Sequence, residues 1–122
     1  MNGLDYIADT NAVVYLLAGK SCMKPYLKNR LAVSVITVME LLSFSGIDAK
    51  EEQGIRSFLG ICKNININES IVEQTIRLRR VSKIKLPDAI IAATAVSCHL
   101  PLITADIGFF NIAGLQVEKI LP

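Results

Sequence analysis

The sequence predicts an α/β fold, a single domain with a mostly parallel sheet of four or five strands and helices on both faces. Three observations carry this. Short β-branched and apolar runs alternate with segments whose apolar residues recur every three or four positions, the order of βαβ units. The strand runs near the two ends of the chain close in polar, acidic residues, where the chain must turn to start the next element. A length of 122 residues with 52% hydrophobic and 20% charged content suits one core, so residues 1–122 are read as one domain.

Each element follows from its local pattern. Leu4 to Asp9, "LDYIAD", is a first strand ending in a polar cluster, and "TNAVVYLLAG" has helical spacing at Val13, Leu16 and Leu17 until Gly19 stops it. Leu31 to Thr37, "LAVSVIT", is β-branched and alternating, a second strand, and "VMELLSFSG" is helical up to Gly46. Asp48 and Glu51 have capping-box spacing before a helix with an inward stripe at Ile55, Phe58, Leu59 and Cys62. "KNININ" reads as a third strand, and "ESIVEQTIRLRRVSKI" as a long amphipathic helix capped by Asn68. Pro87 punctuates the chain before a helix starting near Asp88, in "KLPDAIIAATA". That helix is small or apolar all round and so belongs in the interior. "LPLITAD" is a fourth strand and "VEKI" a short fifth one. The sequence has no internal repeat, low-complexity tract or linker.

Composition excludes several classes. Mean hydropathy is +0.44, yet charges interrupt every apolar run short of the roughly 18 residues that span a bilayer, so a soluble chain is expected. Asp5 and Asp9 stand where a secretory signal would need a basic and then a long apolar stretch, so a cytoplasmic location is expected. Cys22, Cys62 and Cys98 form no C-x-x-C pair and have no neighbouring His, which argues against disulfides and structural zinc. A net charge of +2 does not by itself imply nucleic acid. Walker A and G-x-G-x-x-G loops are both lacking.

In open α/β sheets, ligands bind outside the carboxyl ends of the strands. Sorted by that rule, Asp9 ends the first strand, Glu40 follows the second, Asp88 opens the buried helix and Asp106 ends the fourth strand. Asp9 or Asp88 alone also reads as a helix cap, Glu40 as a surface residue and Asp106 as an Asx-turn residue. Capping does not require the four to meet. If they do meet, carboxylates about 4 Å apart repel by about 4 kcal/mol at an effective dielectric near 20, and helix N-termini return only about 0.3–1 kcal/mol each. A shared proton or a divalent cation must supply the balance, and oxygen-only ligands favour Mg²⁺ or Mn²⁺ over zinc. His99, late on the buried helix, is read as a core or rim residue away from this edge.

The segments "YIADTNAVVYLL", "SVITVMELL", "KLPDAIIAATA" and "LITADIGFF" resemble, in order and rough spacing over nearly the whole chain, the PIN-domain nucleases. Within them the likeness is to the VapC-type toxins of prokaryotic toxin–antitoxin pairs. The resemblance implies a three-layer α/β/α PIN-like domain whose acids bind Mg²⁺ or Mn²⁺ and hydrolyse RNA. It makes Asp9, Glu40, Asp88 and Asp106 the catalytic and metal-binding set, supported by Thr10, Asn11 and Thr104. It further implies a homodimer and a cognate antitoxin that covers the acidic edge. One departure stands out: "TADIGF" has Gly108 where the family often has a second Asp, so a weakened second metal position or slower turnover is expected. Two other readings remain open, a non-catalytic RNA- or protein-binding module and an RNA-processing nuclease without an antitoxin.

RNA-binding candidates come from "RLRRVSKIK", where Arg77, Arg79, Arg80, Lys83 and Lys85 precede Asp88; a solvated helix face is the alternative. Arg79 falls on the arc shared by Ile71, Val72, Thr75, Leu78 and Ser82, so it is expected to reach toward the acids or a phosphate. Phe109 and Phe110 read as core or interface rather than stacking platforms. Apolar residues around Tyr15, Leu16, Leu41, Leu42 and Phe44 are either core or an interface.

Overall fold

The computed structural model describes residues 3–122. Five parallel strands, β1 (Tyr6–Ala8), β2 (Leu31–Ser34), β3 (Lys63–Ile65), β4 (Leu102–Thr104) and β5 (Val117–Lys119), form one sheet in the order β3-β2-β1-β4-β5. Five helices connect them: α1 (Thr10–Leu17), α2 (Val35–Ser43), α3 (Ala49–Ile61), α4 (Glu69–Val81) and α5 (Leu86–Cys98).

Helices cover both faces of the sheet. Successive strand residues point to opposite sides, and the two cores record this. Ile7, Ala32 and Leu102 pack with Ile71, Leu78, Ile91 and Ala92 of α4 and α5. Their neighbours Ala8, Val33 and Ile103 pack with Val13, Leu41, Ile55 and Leu59 of α1, α2 and α3. The result is three layers, as the sequence suggested. No helix among the described residues is long and apolar enough to cross a membrane.

Local capping sets several boundaries. The Asp48–Glu51 capping box forms, with Glu51 N–H donating to Asp48 Oδ1 at 2.7 Å and Asp48 N–H to Glu51 Oε1 at 3.3 Å. Asn68 caps α4, accepting from Ile71 N–H at 2.9 Å. The second strand is shorter than its β-branched pattern predicts. Ser34 Oγ accepts from Ile36 N–H at 3.1 Å, so the chain turns into α2 at Val35 and the cap outweighs the strand preference of Val35, Ile36 and Thr37. Glu40 therefore lies in the second turn of a helix that starts three residues earlier than expected.

Other ends differ too. The long helix α4 stops at Val81, because Ser82 is extended at φ −145°, ψ 147°. Helix α5 begins at Leu86 with Pro87 in its first turn, so Asp88 lies inside that turn and Lys85 is the cap residue. His99 ends α5 in the left-handed region at φ 55° and is exposed, a rim residue rather than a core one. A 3₁₀ segment, Ser21–Tyr26, was not legible, since Pro25 leaves it without helical spacing.

Tyr26 ties that segment down. Its hydroxyl donates to Glu118 Oε1 at 2.9 Å, and its ring meets Tyr6 edge-on with centroids 5.1 Å apart. Burial, then the neighbouring Glu118 carboxylate, push the phenol up to about 12. Tyr26→Phe keeps the ring contacts but removes this bond, and thermal unfolding should show a loss of about 1 kcal/mol; an unchanged melting temperature would mean the bond adds nothing to β5.

Candidate functional site

The parallel sheet decides where the acids go. β1 and β4 are neighbours that end on the same edge, and Asp9 N–H donates to Ile103 O at 3.1 Å just past that pairing. Asp9 is only 4% exposed and caps α1, accepting from Ala12 N–H at 2.8 Å. Asp106 follows β4, where its N–H donates to Thr104 Oγ1 at 3.0 Å and its Oδ1 accepts from Gly108 N–H at 2.8 Å. A Cβ at position 108 would stand 3.1 Å from that Oδ1, so glycine leaves Asp106 room in this rotamer.

Glu40 arrives from α2 and is held by Thr10. Thr10 Oγ1 lies 2.6 Å from Glu40 Oε1 and 3.0 Å from Thr37 Oγ1. A hydroxyl has one proton, so Thr10 donates to the carboxylate, the stronger acceptor, and its lone pair faces the buried Thr37. Thr37 is a further support that the sequence signals only through its T-x-x-E spacing, since residues three apart share one face of α2.

Asp9, Thr10, Asn11, Glu40, Asp88 and Asp106, with Ile91 and Phe109, line one cavity of about 200 Å³. Residues from four separated segments thus share one space. Thr104, fully buried, stands behind Asp9 and Asp106. The acids surround the space without closing it: no three or more ligating side chains among the described residues are drawn tightly enough to enclose an ion.

Burial first, and like charge second, disfavour ionised acids here. Burial raises the pKa of Asp9, opposed by hydrogen bonds from Thr104 and Ala12 and reinforced by the charges of Asp106 and Asp88. Burial also raises that of Asp88, reinforced by Asp106 and Glu40 and opposed by Lys85. Carboxylate and hydroxyl oxygens are the only donors that the polar residues of the cavity offer beyond the Asn11 amide. That donor set and its unbalanced negative charge fit a hard divalent cation.

The basic residues lie outside this lining. Lys85 acts on Asp88 through its charge, while Arg79 is exposed and donates from Nε to Ile84 O at 3.3 Å. The expected reach of Arg79 to the acids is not made, because α4 ends early and the side chain braces the turn into α5. The sole ion pair among the described residues is Arg56–Glu52, at 2.8 Å, so none of the five basic candidates is paired with a carboxylate.

Two larger hollows differ in character. One of about 520 Å³ around Ser70, Gln74, Ser97 and His99 lies toward the other end of α5 and has no carboxylate in its lining. Another, of about 660 Å³, is mostly apolar, runs between α1, α2 and α3, and shares Thr10 and Glu40 with the acid cavity.

Comparison with known proteins places the chain. The PIN domain profile matches residues 6–115. A toxin–antitoxin complex from Klebsiella pneumoniae contains a chain 36% identical, covered at 94% of this chain and 97% of that one, with a TM-score of 0.81. VapBC2 from Rickettsia felis, bound to a promoter DNA fragment, is similar at 23% identity, 97% and 100% coverage and a TM-score of 0.83. VapBC-1 from nontypeable Haemophilus influenzae is similar at 24% identity, 95% and 98% coverage and a TM-score of 0.82. No curated protein matches.

Asp88 offers a test of the repulsion. Its raised pKa means that the folded chain binds this proton more tightly than the unfolded chain, so its contribution is full below the ordinary carboxylate range and lost as pH rises through the raised value. Near neutral pH, in chelator, Asp88→Asn should raise the melting temperature by about 2–4 °C. Relief of burial and of two like charges outweighs the helix-terminus attraction it forfeits, about 0.3–1 kcal/mol. Added Mn²⁺ should stabilise the wild type more than the variant, and a variant that melts lower in chelator would contradict the repulsion.

Proposed function

The chain belongs to the PIN domain family, and from that premise we propose that it is a Mg²⁺- or Mn²⁺-dependent endoribonuclease, the toxin of a toxin–antitoxin pair acting on RNA in the cytoplasm. The observation that carries this reading is the shared cavity of Asp9, Glu40, Asp88 and Asp106, where burial first and neighbouring carboxylates second raise the pKa of Asp9 and Asp88. These four are the residues that would hold the ion. When bound, a divalent ion neutralises charge building on a phosphate and acidifies water, so no Ser, Cys or His nucleophile is needed.

The chain's own part is positioning. Backbone N–H groups of Ala12 and Gly108 fix Asp9 and Asp106, and the Thr10 hydroxyl fixes Glu40. α4 and α5 pack as a helical hairpin, so the basic end of α4 approaches the edge that carries Asp88. Arg77, Arg79, Arg80, Lys83 and Lys85 then supply unpaired cations for the RNA backbone beside the acids.

An antitoxin segment suits the apolar hollow. Val14, Leu17 and Phe44 in its lining are 45%, 42% and 46% exposed, and the hollow opens onto Thr10 and Glu40. A chain lying there would reach the acid cavity. Of the early-helix residues considered for an interface, Leu41 is core and Tyr15, Leu16 and Leu42 pack against core, which leaves Phe44 as the exposed one. A homodimer completes the proposal, as the resemblance implies.

Purified chain should cut RNA with Mg²⁺ or Mn²⁺, lose activity in chelator, and lose it in Asp9→Asn; cleavage unchanged in that variant would overturn the assignment. Thr10→Val, which frees Glu40, should lower activity about ten- to a hundredfold with the fold intact. Overexpression should arrest growth, and co-expression of an adjacent reading frame should relieve it. Harmless overexpression of an active enzyme would indicate RNA processing instead.

A further inference from the structure

One cation lies outside the basic stretch, at the end of β5 on the sheet edge that carries the acids. Lys119 ends β5 in register with Thr104 of β4, the buried threonine behind Asp9 and Asp106. Neighbouring strands are about 4.8 Å apart, and residues in register on parallel strands project to the same face. Ile120 N–H donates to Thr104 O at 3.1 Å, which fixes this end of β5 against β4.

The side chain is also fixed. Lys119 Nζ sits 4.7 Å from the centroid of the half-buried Phe110 ring, and Phe110 follows Phe109, which lines the acid cavity. Lys119 makes no ion pair with any described residue. The adjacent carboxylate, Glu118, is engaged by the Tyr26 hydroxyl instead. An exposed ammonium resting on an aromatic face is favoured there by about 0.5–1 kcal/mol, which biases its rotamer and leaves its charge available.

We propose that Lys119, pinned by Phe110, is a backbone-phosphate contact for single-stranded nucleic acid on the β5 flank of the acid cavity. This rests on the nuclease reading above and adds a second cationic point to the one before α5. A strand crossing the acids would be held by Lys85 and its neighbours from one segment and by Lys119 from another. Such a contact fixes the register of the strand and reads no base.

The test is equilibrium binding of labelled single-stranded oligoribonucleotides to the full chain in chelator, where no cutting occurs and no divalent ion distorts the salt dependence. Lys119→Ala should weaken binding about fivefold near 0.1 M salt, reduce the slope of log K against log salt by about 0.7, and do so equally for two unrelated sequences. An unchanged affinity and slope overturns the proposal. Phe110→Leu keeps the lysine and most of the apolar volume; it should bind more weakly than wild type, and wild-type binding overturns the pinning role. Failure here is separable from failure of the nuclease reading. A chain that cuts RNA but shows no slope change in Lys119→Ala sinks only this contact, whereas one that shows the slope change but cuts nothing sinks only the catalytic assignment.

Discussion

Like charges gathered in a half-buried cavity repel, and the rest of this structure is arranged so that four of them stay together. Two carboxylates brought to about 4 Å would repel by about 4 kcal/mol at an effective dielectric near 20, comparable to a sizeable part of a small domain's stability, and the acids here line one cavity without closing on its centre. The chain tolerates this because each acid is anchored by something it cannot easily leave. Asp9 is tied to the first turn of α1, Asp106 to the turn after β4, and Glu40 to Thr10. Asp88 is carried by α5, whose buried body of Ala89, Ile91, Ala92, Ala93 and Ala95 fixes its first turn in the core.

Parallel pairing makes the convergence possible. Because β1, β2 and β4 all run the same way, the residues that follow them emerge at one edge, where helices from both layers begin. The central place of β1 puts Asp9 deepest, at 4% exposure, with acids from α2, α5 and the β4 turn around it. Burial at this edge, with the other acids beside it, raises the pKa of Asp9 and Asp88, a perturbation that clusters at functional sites.

Much of this was legible in sequence because it follows from local periodicity and from the strand-edge rule. The alternation of short apolar runs with helical spacing fixes the layers, and the capping box at Asp48 and Glu51 and the Asn68 cap formed as read. Asp9 and Asp106 could be picked out as strand-end acids, Asp88 as the acid at the mouth of the apolar helix, and Glu40 only as the acid that follows the second strand. What sequence did not show depends on single side chains or on register. Ser34 turned a β-branched run into helix, and an early end at Val81 redirected Arg79 to a backbone carbonyl. The pairing of Thr104 with Lys119, fifteen positions apart, exists only once the sheet is assembled.

The central claim is that the four carboxylates share one divalent ion. Anomalous diffraction from crystals grown with Mn²⁺ measures this directly. The account predicts a strong peak inside the cavity at bonding distance from carboxylate oxygens of Asp9 and at least one of Glu40, Asp88 and Asp106. A cavity that stays free of manganese at saturating concentration, or a peak held by other residues, would contradict it.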